Sequence, residues 1–350
     1  MVYGLGGYEF TDFFESRWTA PVLVGGRSDC WCRVDLVTLS EKRLYCWTVG
    51  PVKEGHFLYR GCPPKYMQLR HVFCSFVCTI VGVTLAVVLG KTLQRRKTAQ
   101  NRDDLLRRAS SNRDKTFRRD DLNELPEPVR RYFNNVLQDG QQYVDTVRLE
   151  QEGELRTGEA DSGWKQFTAT QYISTDPLGF FWNARVNLWP LISARIGDLY
   201  SSGEGSARIS LLGLIPIGGD DSNPELNEGE LLRYLAEAVW YPTALLPSEG
   251  VQWNGIDETT AEATLEYGGA TATLTFHFSE DNVVSKVHAE QRPRRVDNGY
   301  EPTPWTGRWD DYETRNGIHI PTTGEVIWHL PDGDMEAWRG RLTDIRYNKW

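Results

Sequence analysis

Glu230, Arg233, Tyr234 and Glu237 are the residues whose types and spacing say most about chemistry. They recur at i, i+3, i+4 and i+7, so they share one stripe of a helix. Two carboxylates with a phenol and a guanidinium between them have the makings of a general acid and base for an amphipathic substrate. The same stripe also reads as an exposed ion-paired face, or as a polar lip at the mouth of an apolar hollow. Trp182, Trp240 and Trp328, with Trp253, Trp305 and Trp338, are candidates to line such a hollow for an acyl or ring-bearing ligand, or simply to fill a large core.

Other chemistries find less support. His277 stands between Phe276 and Phe278, and His288 between Val287 and Ala289. On alternating strands both imidazoles fall on the polar face, where a solvated histidine is the plain reading. The sequence contains no His-x-x-x-His, His-Glu-x-x-His or Asp-x-Asp-x-Asp-Gly, and no phosphate-cradling glycine loop. The nearest approach to a nucleophile elbow, Gly203-Glu-Gly-Ser-Ala, lacks the required order and a following helix. No metal or cofactor is expected, and no catalytic residue is assigned.

The elements that must position these residues follow from hydrophobic period. Val129, Tyr132, Phe133, Val136 and Leu137 mark one face of a short helix opened by Leu125-Pro-Glu-Pro. The period then changes to two, as in Phe180, Trp182, Ala184, Val186 and Leu188 alternating with Phe181, Asn183, Arg185 and Asn187. Gly268-Gly269 between two alternating runs signals a hairpin, and Asp281-Asn282, Asn316-Gly317 and Asp332-Gly333 signal further turns. One helix interrupts the strands. Its expected span is 228–241, with Asn227-x-x-Glu230 as capping box and Leu231, Leu232, Leu235, Ala238 and Val239 as apolar stripe. The fold class expected is mainly β, α+β. A curved antiparallel sheet or half-barrel of about ten strands carries an N-terminal helix and one lid-like helix.

Upstream, Val72 to Gly90 runs 19 residues without a charge. As a helix it would extend about 28 Å, close to the thickness of a hydrocarbon core, so a single-pass transmembrane anchor over 67–93 is expected. A basic linker over 94–120 and an acidic domain over 121–350 follow. Residues 1–66 stay unassigned, as an upstream extension if translation begins at Met67. Eleven Lys and Arg in 91–119, against four in the twenty residues before Val72, place the large domain on the cytoplasmic side. Residues 1–120 carry 20 basic and 11 acidic side chains; residues 121–350 carry 19 and 37, a net of −18. A domain of that charge repels phosphate backbones and anionic lipid headgroups, so nucleic acid is not an expected partner, and contact with an anionic leaflet is left to the basic stretch that follows the anchor. All six cysteines lie in the first 78 residues without zinc spacing, so the large domain depends on no disulfide.

Several segments carry a resemblance. Leu125-Pro-Glu-Pro-Val-Arg-Arg-Tyr-Phe, Phe181-Trp-Asn-Ala-Arg, the run from Gly229-Glu-Leu-Leu-Arg-Tyr to Trp240-Tyr-Pro-Thr-Ala-Leu, Pro302-Thr-Pro-Trp-Thr-Gly and Trp338-Arg-Gly-Arg resemble a bacterial family of membrane-anchored domains of unknown function. The likeness runs from about residue 117 to the C-terminus. The order of elements is also similar to the lipoprotein-carrier half-barrel, in which helices cover a concave apolar face. These resemblances imply a membrane-tethered domain that holds a lipid or other hydrophobic ligand. An enzyme and a membrane-associated scaffold are the alternatives. The ligand-binding residues expected are Trp182, Tyr234, Trp240, Trp328, Glu230, Arg233 and Glu237.

Overall fold

The structure, a computed structural model, describes residues 64–109, 115–156, 162–190, 192–296 and 299–348. The expectation of an upstream extension falls almost wholly outside these residues. Helix α1 spans Pro64–Arg108. From Phe73 it is long and apolar enough to cross a membrane, by length and composition. It does not stop where the apolar run stops. The basic stretch expected as a linker is helical as far as Arg108.

The short helix expected after Leu125 is α2 (Glu127–Val136), and it buries the anticipated Val129, Tyr132, Phe133 and Val136. Strands β1 (Thr146–Arg156), β2 (Trp164–Thr175), β3 (Leu178–Trp189), β4 (Ile192–Ser201), β5 (Glu204–Leu211) and β6 (Ile215–Asp220) follow. Next come α3 (Pro224–Glu237) and three 3₁₀ turns, Ala238–Trp240, Pro242–Leu245 and Pro247–Glu249. The chain ends with β7 (Gln252–Gly255), β8 (Thr260–Tyr267), β9 (Ala270–Phe278), β10 (Val284–Val296), β11 (Gly299–Arg315), β12 (Ile318–Leu330) and β13 (Gly333–Tyr347).

The thirteen strands of the described residues form one antiparallel sheet, ordered β6-β5-β4-β3-β2-β1-β13-β12-β11-β10-β9-β8-β7. About ten were expected from turn and alternation signals. The short edge strands β6 and β7 contain too few residues to show a period. Topologically, β1 pairs with β13 in the middle of the sheet, and the two edges are consecutive in sequence. The segment that joins those edges is α3 with its 3₁₀ turns. The lid-like helix is therefore the connection across the opening of the half-barrel.

The sheet curls until two hairpin tips touch. Gly203, after β4, and Gly268, after β8, approach so closely that a Cβ on Gly203 would lie 2.6 Å from the Gly268 Cα. Both have positive φ, so glycine serves the turn and the contact together. Inside the curl, Trp182, Phe167 and Trp338 stack in sequence, with centroids 5.9 and 5.7 Å apart. α2 fills a neighbouring region, where Tyr132 meets Phe278 and Phe133 meets Trp253.

One residue breaks the expected alternation. Phe181 points to the outer face, expected to be wet, yet it is buried. The end of α1 covers this part of the sheet. Leu105 is buried, its Cδ1 3.0 Å from where a Cβ would stand on Gly179, and Arg108 Nη1 donates to Ser202 Oγ at 3.1 Å.

Candidate functional site

α3 begins one turn earlier than its expected capping box. Asn223 is the N-cap, its side chain accepting from Leu226 N at 2.8 Å, and Pro224 takes the first helical position. Asn227, the expected cap, instead accepts from the backbone N–H of Gly205 at 2.7 Å and ties the helix to β5. The helix ends at Glu237, and the residues to Trp240 continue as a 3₁₀ turn.

This register turns the Glu230, Arg233 and Glu237 side chains onto the sheet rather than to solvent. All three are buried, Arg233 to 2% exposure. Neither the exposed ion-paired face nor a polar lip at a mouth describes them. Arg233 donates through Nε to Glu237 Oε1 at 2.9 Å and through Nη1 to Asp198 Oδ2 at 3.0 Å, with Glu230 Oε2 at 3.9 Å. Its guanidinium plane also lies over aromatic faces, 4.6 Å from the Phe180 centroid and 5.3 Å from that of Trp182. Gln171 Nε2 donates to the second oxygen of Glu237 at 2.6 Å. Trp182 in turn donates its indole N–H to Gln151 Oε1 at 2.8 Å.

Three carboxylates surrounding one guanidinium cannot all ionise freely in a sealed site. Burial pushes the Asp198 carboxyl up, Arg233 pulls it down, and Glu230 adds repulsion; the outcome is a pKa pushed up to about 7. Burial opposes the charge on Arg233 as well, but Glu237, Glu230 and Asp198 together outweigh it and hold the guanidinium above its usual range. The arrangement is well paired yet incomplete. Arg233 Nη2, Asp198 Oδ1 and Gln171 Oε1 are buried without a hydrogen-bond partner.

The remaining site residues are distributed around this cluster. Trp328 shares a second buried arginine: Arg292 lies 4.6 Å over Trp305 and 5.6 Å over Trp328, and its Nη2 donates to Gly229 O at 3.0 Å. Tyr234 turns away to Tyr241, centroids 5.5 Å apart, and Trp240 packs edge-on against Trp309 at 4.9 Å. The expected residues therefore form one ionic cluster with Trp182, one neighbouring arginine–indole stack, and two separate aromatic contacts.

Asp198, Gln171, Gln151 and Arg292 were not anticipated. A signal existed for the first three, because each occupies an inward position of an otherwise apolar strand face: Asp198 with Ala194 and Tyr200, Gln171 with Ala169 and Ile173, Gln151 with Val147 and Leu149. A polar side chain at such a position must find a partner.

Among the described residues, the cavity at α3, lined by Glu230, Arg233, Arg292 and Trp328 with others, has about 20 Å³, room for one water. The protein's own aromatic side chains occupy the inner sheet face here. A groove of about 990 Å³ lies elsewhere, on the outer face across β1, β13, β12 and β11. Its walls are ion pairs already made, Glu154–Arg339, Glu152–Arg341 and Arg308–Glu325.

The two histidines behave as the alternation implies, and burial lowers the pKa of both. His288 Nδ1 and His329 Nε2 both meet the Thr306 hydroxyl, at 3.0 and 2.8 Å, and His329 Nδ1 meets Asp334 at 2.7 Å. The order hydroxyl, imidazole, carboxylate invites a catalytic reading, but Thr306 is only 4% exposed and its oxygen is shared by two rings. It is a hydrogen-bond hub within the sheet.

Among the described residues, a curled thirteen-stranded antiparallel sheet with α3 across its opening defines a half-barrel class. Residues 123–347 match a family described as Family of unknown function (DUF6920), and the chain belongs to that family. No curated protein matches this chain. Among solved structures it is similar to a LolA superfamily protein from Nitrosomonas europaea, with 9% identity, 59% of this chain and 87% of that one covered, and a TM-score of 0.30. It is also similar to a β-barrel-like protein of domain of unknown function DUF1849 from Brucella abortus, with 11% identity, 59% and 99% covered, and a TM-score of 0.22.

Proposed function

We propose that this is a membrane-tethered binding domain without catalysis, which takes up an apolar or amphipathic ligand such as a lipid chain on the inner face of its half-barrel. α3 and its 3₁₀ turns act as the lid. The observation that carries this reading is the way the lid is fastened. At the Arg233 cluster a sealed ionic clamp, with polar atoms left unpaired, holds the helix where close-packed apolar side chains would hold it more tightly. A clamp of this kind releases more readily into water than an apolar interface, because its groups regain hydration.

The closed form has room for one water, so uptake requires the lid to move and the aromatic side chains beneath it to give way to the ligand. A buried methylene is worth about 0.8 kcal/mol, so a sixteen-carbon chain returns on the order of 12 kcal/mol against the cost of opening. The tether is the apolar run of α1, and the excess of Lys and Arg after it sets the domain on the cytoplasmic side. In this reading the carboxylates of the clamp serve as contacts of the lid, Asp198 and Glu237 with Arg233 and Glu237 also with Gln171.

The test is native mass spectrometry of the full chain released from membranes, before and after locking the lid. A Cβ on Gly205 would stand 2.9 Å from Leu226 Cγ, so Gly205→Cys with Leu226→Cys brings two thiols from β5 and α3 within bridging reach. The expected result is a lipid adduct on the reduced double variant that cannot be loaded after oxidation. Equal loading of the locked and unlocked forms, or no adduct on either, would overturn the reading.

A further inference from the structure

The outer face of the sheet carries a second cluster of charge, and among the described residues no carboxylate lines it. Arg185 on β3 and Arg195 on β4 are direct cross-strand partners. Both point outward, since Ala184, Val186 and Ala194 occupy the buried positions beside them. α1 runs alongside. Its Gly90 is buried against the β5–β6 turn, where a Cβ would stand 1.9 Å from Leu214 Cδ2. The helix thereby brings Lys91, Arg95 and Arg102 to the edge of a cavity of about 360 Å³ that Arg185 and Arg195 also line.

No carboxylate lines this cavity. Among the described residues, only Arg102 of the five cations has an acidic partner, its neighbour Asp103. Like charges set directly opposite in a sheet are destabilising. The strain registers on Arg195, which burial, Arg185 and Arg95 together hold below the usual guanidinium range. A cavity lined by five cations and no carboxylate, with four of the five lacking an acidic partner among the described residues, leaves room for an external anion.

We infer that this cavity binds a phosphate-bearing anion, the headgroup of an anionic phospholipid. Paired guanidinium forks match phosphate oxygens, and Asn183 adds a neutral donor at the wall. Lys91 is the first residue after the apolar run. At about 1.5 Å per residue, Arg95 lies about 6 Å beyond it along the helix, a distance comparable to the headgroup layer on one side of a bilayer. The cavity is larger than a phosphate and has space for the adjoining glycerol. This inference does not depend on the lid moving.

The experiment places the full chain in nanodiscs of phosphatidylcholine, with or without phosphatidylglycerol, and reads retained lipid by native mass spectrometry and the thermal midpoint. Phosphatidylglycerol is expected to be retained and to raise the midpoint. Arg185→Gln with Arg195→Gln should lower retention about tenfold, as the loss of two charge-assisted contacts implies. Arg96→Gln with Lys97→Gln removes the same charge from helix residues that do not line the cavity, and should leave retention unchanged. An equal loss in this control pair would mean diffuse attraction and would overturn the site. So would retention that ignores headgroup charge. A midpoint raised by inorganic phosphate in pure phosphatidylcholine discs, with no response to phosphatidylglycerol, would overturn the lipid as source. The midpoint of the Arg185→Gln, Arg195→Gln chain in phosphatidylcholine alone shows that it is folded, since removing the repulsion should not lower it.

Discussion

Two arginine-centred clusters lie on opposite faces of the same strands, and they are built by opposite rules. On the inner face, Arg233 meets Asp198, Glu230 and Glu237 in a site sealed to a few per cent exposure. On the outer face, Arg185 and Arg195 oppose one another beside Lys91, Arg95 and Arg102 with no acid in the cavity. β3 and β4 contribute to both. The difference is set by water. An unpaired charge in a sealed site costs several kcal/mol, so the inner cluster must supply its own counter-ions. Solvent screens the outer cluster, so its imbalance can persist until a ligand offsets it. On the readings proposed above, the inner cluster would hold the lid and the outer one would meet an anion.

The largest effect expected from this contrast is at Arg233. Arg233→Met strands three carboxylates and should cost about 3–5 kcal/mol in chemical denaturation of the detergent-solubilised chain. Adding Asp198→Asn, Glu230→Gln and Glu237→Gln should recover most of the loss, because all the charges are then removed together. A single-variant cost below about 1 kcal/mol would break the contrast, since the inner cluster would then behave like a surface pair.

The pH dependence comes next in size. The Asp198 pKa is raised in the folded state, from 3.8 to about 7. Its contribution to stability is therefore complete below about pH 4 and is lost as pH rises through 7. Between pH 5 and 8 the chain should lose on the order of 2 kcal/mol that Asp198→Asn does not lose. Parallel slopes for the two proteins would show that the proton is held elsewhere. The smallest effect is on the outer face. Arg185→Gln alone should raise the unfolding free energy, by up to about 1 kcal/mol, in phosphatidylcholine discs. Destabilisation there would mean that Arg185 has a structural partner and would erase the distinction between the two faces.

Much of this architecture was legible along the chain. α2 was marked by a five-residue apolar stripe, the β8–β9 hairpin by Gly268-Gly269, and the family by motifs within the span 123–347. The Glu230–Arg233–Glu237 stripe was legible as a unit, but its direction was not. Helical spacing places residues on one side of a helix without saying whether that side faces water, and the start of α3 at Asn223 instead of Asn227 depends on contacts with β5. Asp198 and Gln171, which complete the clamp, lie 35 and 62 residues before Arg233 and come into reach only through strand pairing.

The sequence by itself determined the local periods, the turns, the apolar run and the sign of charge along the chain, because each depends on neighbours within a few residues. It also specified which side chains share a strand face, through the two-residue alternation from Phe180 to Leu188. Only the tertiary structure decided which arginines are balanced. The curl that brings Gly203 to Gly268 closes the inner face around Arg233 and its acids. The packing of Gly90 and Leu105 lays the basic end of α1 beside Arg185 and Arg195. Burial and counter-ion distance are properties of segments far apart in the chain, and the same arginine side chain becomes a clamp or a ligand contact according to what the fold places beside it.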